Sequence, residues 1–200
     1  MRTAAATKER ILAAALAEFS AHGIAGARVD RIAQAARCNK NLIYIYFEDK
    51  ETLFKTVLCK HLTRVHEEQP FTPDDLPGYA AKVFDFAMAN PDLLRLVAWS
   101  ALEQPANGSA ERVASLNAKL AALTEARKAG QVGTAFPPDF LLIAVMSLAT
   151  AWSVTSPFGP SLNRKAGEHP AAVRENLMEA VRLLANAGKR TRTQARSKSR

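Results

Sequence analysis

The chain has 200 residues, 48% hydrophobic and 23% charged, which is enough apolar matter for a sizeable core and excludes wholesale disorder. That length exceeds the usual single-domain mode of about 100–150 residues, so one domain with an appendage, or two cooperating domains, is expected. The formal net charge of +8 is uneven: +4 over residues 1–60, −2 over 61–188 and +6 over 189–200, a basic head and a basic tail around a slightly acidic body.

Two cysteines, Cys38 and Cys59, with no signal peptide before them, argue for reduced thiols in a cytoplasmic protein. The longest apolar stretch, Phe140 to Val154, is interrupted by Ser147, Thr150 and Ser153 and falls short of the ~20 residues a membrane span requires. No transmembrane segment is expected.

In chain order, almost every segment between Thr7 and Ala187 has helical periodicity and none alternates like a strand, so the expected fold class is all-α. Lys8–His22 carries Leu12, Leu16 and Phe19 on one stripe, with Thr7 as the expected N-cap and Gly23 as the expected stop. A short second helix presents Val29, Ile32, Ala33 and Ala36, and a third runs from about Lys40 to Phe47 behind Asn39 as its cap. Asp49 is the expected cap of a fourth helix carrying Leu53, Phe54, Val57 and Leu58. Residues 67–78, rich in proline and acids, read as a loop. Helices are then expected at about 79–88, 91–103, 110–129, 139–155 and 170–187, with a loop at 156–169 and a disordered cationic tail at 189–200.

The first three helices form a helix-turn-helix pattern. Steps of about 100° per residue put Ile43, Tyr46 and Phe47 on one side of the third helix, with Leu42 at its border. The other side carries Lys40, Asn41, Tyr44 and Ile45. That outward set suits a major groove: lysine donates to guanine O6 or N7, asparagine pairs with adenine, and an aliphatic group meets the thymine methyl. The Tyr44 hydroxyl and the Lys50 ammonium can reach phosphate oxygens, Lys50 also lying at the start of the fourth helix.

From Thr7 to His61 the chain resembles the N-terminal DNA-binding domain of the TetR family of transcriptional regulators. The resemblance is carried by Lys8-Glu9-Arg10-Ile11-Leu12, Phe19, Gly23, Val29-Asp30-Arg31-Ile32-Ala33, Asn39 through Phe47 and Asp49-Lys50-Glu51-Thr52-Leu53. It implies a homodimer whose recognition helices enter successive major grooves of a palindromic operator, and a ligand in the C-terminal half that releases the DNA. It also implies base or phosphate contacts from Lys40, Asn41, Tyr44 and Ile45, and phosphate contacts from Tyr46 and Lys50. With Arg28, Arg37, Asn39 and Leu42 these residues complete the expected DNA-binding set. Three positions depart from the family pattern. Arg37 stands where the turn usually has glycine, which implies either a differently shaped turn or a phosphate contact. Asn41 and Leu42 replace a small residue and a hydroxyl residue. Arg28 is a poor cap, so the second helix is expected to begin elsewhere.

In the C-terminal half, Phe84, Met88, Val97, Trp99, Met146 and Trp152 are the candidate lining of an effector pocket, since cavities between bundled helices are common ligand sites. The shortage of charge among them implies a mainly apolar effector of unknown identity. The helix at 139–155 is apolar nearly all round and must be covered on most sides. The resemblance implies that it and the last helix pair with their symmetry mates. Leu141, Val145, Leu148, Leu177, Val181 and Leu184 are the candidate dimer interface.

Other classes fare worse. An enzyme requires a convergent acid, base or nucleophile set, and four scattered histidines with no Gly-rich phosphate loop supply none. Cys59, His61 and His66 lack a fourth ligand at regular spacing, so neither a metal nor a cofactor is expected. An architectural protein that packs DNA through head and tail without reading sequence remains the alternative. Among regulators, repression is preferred, because blocking a promoter requires only occupancy.

Overall fold

The computed structural model describes residues 4–68, 70–103, 110–162 and 169–189; the expected basic tail beyond Lys189 lies outside the described residues. The described residues are helical and contain no strand. The elements are α1 (Ala4–Gly26), α2 (Val29–Ala35), α3 (Lys40–Phe47), α4 (Lys50–Glu68), α5 (Leu76–Ala89), α6 (Pro91–Glu103), α7 (Ala110–Lys128), α8 (Pro138–Thr150), α9 (Gly159–Leu162) and α10 (Pro170–Asn186).

The chain divides into two compact units. The first takes in residues 1–68 together with 87–109 and 153–157, so the head expected at 1–60 is joined by α6. The second comprises 69–86, 110–152 and 158–200, within the body expected at 61–188 and the tail after it.

In the first unit, α1 packs on α2, α4 and α6. Ile11, Ala15, Phe19, Ile32, Ile43, Phe47, Leu53, Phe54, Val57 and Leu96 form its interior, with the Phe19 and Phe54 rings edge to face at 5.2 Å. Thr7 is not a cap. Ala4, Ala5 and Ala6 are strong helix formers that carry α1 upstream of it, and Thr7 is buried with its hydroxyl accepting from Arg10 Nη2 at 3.3 Å. Gly23 does interrupt α1, at φ 68, yet helical turns resume to Gly26. Only glycine adopts that φ without strain, and a Cβ there would also lie 3.0 Å from the Trp99 ring.

The second unit buries Leu76, Tyr79, Phe84, Leu123, Leu141, Val145, Leu177 and Val181, with α8 packed against α7 and α10. Phe71 meets Tyr79 edge-on at 4.9 Å, and Phe84 meets Trp152 at 6.4 Å. Two boundaries differ from expectation, and the short α9 (Gly159–Leu162) stands inside the loop expected at 156–169. Asp75 Oδ1 accepts from the Gly78 N–H at 3.0 Å, which caps α5 and starts it at Leu76, three residues early. α8 stops at Thr150 rather than Thr155, because the hydroxyl residues there compete with the helix ladder. Thr150 Oγ1 bonds back to the Met146 carbonyl at 2.9 Å, and the Ser153 and Thr155 hydroxyls pair at 3.0 Å.

Candidate nucleic-acid interface

α3 is built as a two-sided rod. Asn39 stands at its N-cap, the side-chain Oδ1 accepting from the Asn41 N–H at 2.9 Å. Ile43 and Phe47 face the interior, 1% and 2% exposed, while Tyr44 and Ile45 are 42% and 72% exposed. Lys40 and Asn41 are exposed beside them, and Leu42 and Tyr46 are half-buried at the borders. Lys8 Nζ lies 5.5 Å from the centroid of the Phe47 ring, so a cation covers the inner edge of α3. The outward surface therefore offers an ammonium, an amide, a phenol and a branched aliphatic group along two turns of one helix.

Lys40 is not loose. Its ammonium lies 2.9 Å from Asp30 Oδ1 and 3.0 Å from Oδ2, a pair formed between α3 and α2. The hydrogen bond to Asp30 raises the Lys40 pKa above 10.5, so the cation is fully charged at neutral pH. Lys50 is held by backbone oxygens instead: its ammonium donates to the carbonyls of Ala25 at 3.3 Å and Ala27 at 3.2 Å. Asp49 caps α4 as expected, Oδ1 accepting from the Thr52 N–H at 2.6 Å, and that bond pulls its carboxyl below the usual value.

The turn between α2 and α3 shows how Arg37 is accommodated where glycine is usual. Its φ is 52, the left-handed region glycine favours, and it follows a C-cap at Ala36. The Cys38 N–H reaches the Ala33 carbonyl at 3.0 Å and the Arg37 N–H the Gln34 carbonyl at 3.1 Å, a Schellman-type close. The tight left-handed turn forms without glycine, and the Arg37 side chain stays exposed. Arg37→Gly is expected to raise the stability of the fold by about 1 kcal/mol. Thermal melting a few degrees above wild type checks this, and an unchanged or lower Tm speaks against it.

Arg28 is the N-cap of α2 after all, in extended conformation at φ −119 with no side-chain cap of its own, so α2 does not start elsewhere. The cap arrives from α1: the Arg28 N–H donates to Glu18 Oε1 at 2.8 Å, and Arg31 Nε donates to the same oxygen at 2.7 Å. Burial pushes Glu18 up, but the bonds from Arg31 and the Arg28 backbone outweigh it and hold the carboxyl below 4.5. The lack of a capping side chain at Arg28 left the helix N-terminus open to a partner from elsewhere in the fold. Nothing local pointed to Glu18 itself.

The other candidate residues are dispersed. Of the pocket set, Met88, Val97 and Trp99 belong to the first unit and Phe84, Met146 and Trp152 to the second. Trp99 uses its indole N–H on the Ser20 carbonyl at 3.2 Å. In the second unit Tyr79 places its hydroxyl 3.8 Å from Met146 Sδ, and Lys119 Nζ donates to that hydroxyl at 3.1 Å. Of the interface set, Leu141, Val145, Leu177 and Val181 are at most 2% exposed within their own chain, and Leu148 and Leu184 are partly buried. The outward apolar groups on α8 and α10 are Phe140, Ile143 and Leu183, at 50%, 64% and 60% exposure. Among the described residues no cluster of three His, Cys, Asp or Glu side chains could hold a metal, and no helix is long and apolar enough to cross a membrane.

Comparison with known proteins agrees with this geometry. The family described as "Bacterial regulatory proteins, tetR family" matches residues 11–57, and "Tetracyclin repressor-like, C-terminal domain" matches residues 75–182. The chain is 41% identical over 155 residues to the HTH-type transcriptional repressor SCO4008 of Streptomyces coelicolor, covering 76% of this chain and 80% of that one. It is 30% identical over 105 residues to the HTH-type transcriptional repressor NicS of Pseudomonas putida, about half of each chain. The solved structure of the putative transcriptional regulator SCO4942 from Streptomyces coelicolor superimposes with a TM-score of 0.77 at 38% identity, over 88% of this chain and 96% of that one. An α3 with a buried back and a hydrogen-bonding front, on a chain matched by both of these family descriptions, has one reading: the protein belongs to the TetR family of transcriptional regulators.

Proposed function

We propose that the protein is a cytoplasmic repressor that binds a palindromic operator as a homodimer and is released by a small, mainly apolar effector. The observation that carries this is the exposed quartet Lys40, Asn41, Tyr44 and Ile45 on a helix anchored from behind by Ile43 and Phe47. Lys40, Asn41 and Ile45 read base edges, Leu42 packs at the rim, and Arg28, Arg37, Asn39, Tyr44, Tyr46 and Lys50 serve phosphates. Relatives named as transcriptional repressors support the repressing sense. No catalytic role is assigned to any residue.

Dimerisation runs through the outward side of α8 and α10, where Phe140, Ile143 and Leu183 supply the apolar centre and Leu148 and Leu184 its margin. A two-fold dimer matches a two-fold operator. The apolar character of the effector is supported in the second unit by Phe84, Trp152 and Met146, which gather large apolar side chains around its core. Release is a population shift, driven only by the effector's differential affinity for the two conformations.

The test is selection of bound duplexes from sheared genomic DNA by the full-length protein. A palindrome with half-sites about one helical turn apart is expected. Binding that tracks salt and ignores sequence would instead establish the architectural alternative. On the selected duplex, Lys40→Ala is expected to weaken binding about tenfold and Tyr44→Phe somewhat less. Both variants should melt like wild type, because both side chains are exposed; unchanged affinity in the two would remove α3 as the reading surface.

A further inference from the structure

In an unbroken α1 the Ile24 N–H would bond to the Ser20 carbonyl, four residues back. The turn at Gly23 breaks that bond, and α6 replaces both halves of it. The Ser20 carbonyl accepts from Trp99 Nε1 at 3.2 Å, and the Ile24 N–H donates to Glu103 Oε2 at 2.7 Å. The same carboxylate oxygen also accepts from the Ala25 N–H at 3.2 Å. Trp99 and Glu103 lie one helical turn apart on α6, so a single face of that helix grips the kink.

The gripped segment has a second attachment. Ala25 and Ala27 turn their carbonyls to the Lys50 ammonium at the start of α4. The Ala25 residue thus gives its N–H to a carboxylate and its C=O to an ammonium, an arrangement in which each charge strengthens the other's hydrogen bond. Two of the three Lys50 donors are used on α1, leaving one for a phosphate oxygen.

We infer that Trp99 and Glu103 are positioning residues for DNA binding: they fix the tail of α1, whose carbonyls hold the Lys50 ammonium where it meets a phosphate. This rests on the reading of Lys50 as a phosphate contact. Neither residue touches DNA. Their contribution is to remove the freedom that Lys50, on a flexible four-carbon stem, otherwise loses on binding.

The test measures affinity of the full-length protein for its selected duplex across a range of salt concentrations. Lys50→Met is expected to weaken binding several-fold and to lower the salt slope by about 0.9, one phosphate contact's worth. Glu103→Ala and Trp99→Phe are each expected to weaken binding about fivefold with a smaller slope, and the Glu103→Ala/Lys50→Met double variant to lose no more than Lys50→Met alone. Glu103→Gln, which keeps an acceptor oxygen without its charge, should bind between Glu103→Ala and wild type. If Glu103→Ala melts below the assay temperature, Trp99→Phe, which removes the indole donor together with part of the ring and is melted alongside, carries the same test. Losses that add to those of Lys50→Met with the slope intact mean a general structural role and overturn the inference. So do wild-type affinity and slope in both α6 variants. A Lys50→Met variant that binds like wild type overturns the phosphate reading as well, so the two failures are distinct.

Discussion

Ile143→Asp is expected to leave the protein folded but monomeric, and to abolish tight operator binding. Ile143 is 64% exposed on α8, the helix that also exposes Phe140, and lies outside the core its own chain buries. A carboxylate there stays hydrated in the monomer, whereas at the centre of a dimer it must be desolvated without a partner. A single head then meets a single half-site, and affinity falls toward the sequence-independent level, roughly a thousandfold or more weaker. Sedimentation gives the mass and filter binding the affinity. The contrasting substitution is Val145→Asp, at a position 0% exposed on the inner side of the same helix, which should unfold the second unit instead. A dimeric Ile143→Asp variant with full affinity would move the interface off this face.

Glu18→Ala carries the second large effect, in stability. The side chain is 10% exposed and holds the first backbone N–H of α2 together with the Arg31 guanidinium, which is 41% exposed. Removing it takes away a charge-assisted cap and leaves Arg31 with its bond to the Gly26 carbonyl. The expected cost is about 2 kcal/mol, discounted for the exposure of Arg31. Because α2 carries Asp30, the partner of Lys40, operator affinity should fall with it. The pH dependence has a definite sign. The folded-state pKa of Glu18 is depressed below 4.5, so its contribution is complete at neutral pH and is lost as pH falls through the folded value. The gap in Tm between wild type and variant should be constant at neutral pH and narrow as acid protonates Glu18 below the ordinary carboxylate range. A gap that widens in acid would contradict the assignment of Glu18 as an ionised cap.

Local features were legible in the residues themselves. The apolar stripe of α1, the cap at Asn39, the cap at Asp49 and the division of α3 into Ile43 and Phe47 behind, Tyr44 and Ile45 in front, follow from helical spacing and from side chains that bond within three residues. The Gly23 interruption was visible for the same reason, because positive φ is a property of one residue. What spacing could not supply were partners far apart in the chain. Glu18 caps a helix ten residues on, and Glu103 bonds a backbone amide 79 residues away. No periodicity records such pairs; they exist only once α1 has packed against α2 and α6.

The two sides of α8 show the same boundary most sharply. Leu141, Leu142 and Val145 are as apolar as Phe140 and Ile143, so hydrophobicity announces that the whole helix requires cover without saying which side its own chain provides. Packing against α7 and α10 makes that choice, burying Val145 completely and leaving Ile143 outside. Patterns confined to a turn or two are written into the order of the residues, since the backbone repeats every 3.6 of them. The side a helix turns outward, and the distant amide a carboxylate meets, follow from the energy of the assembled core.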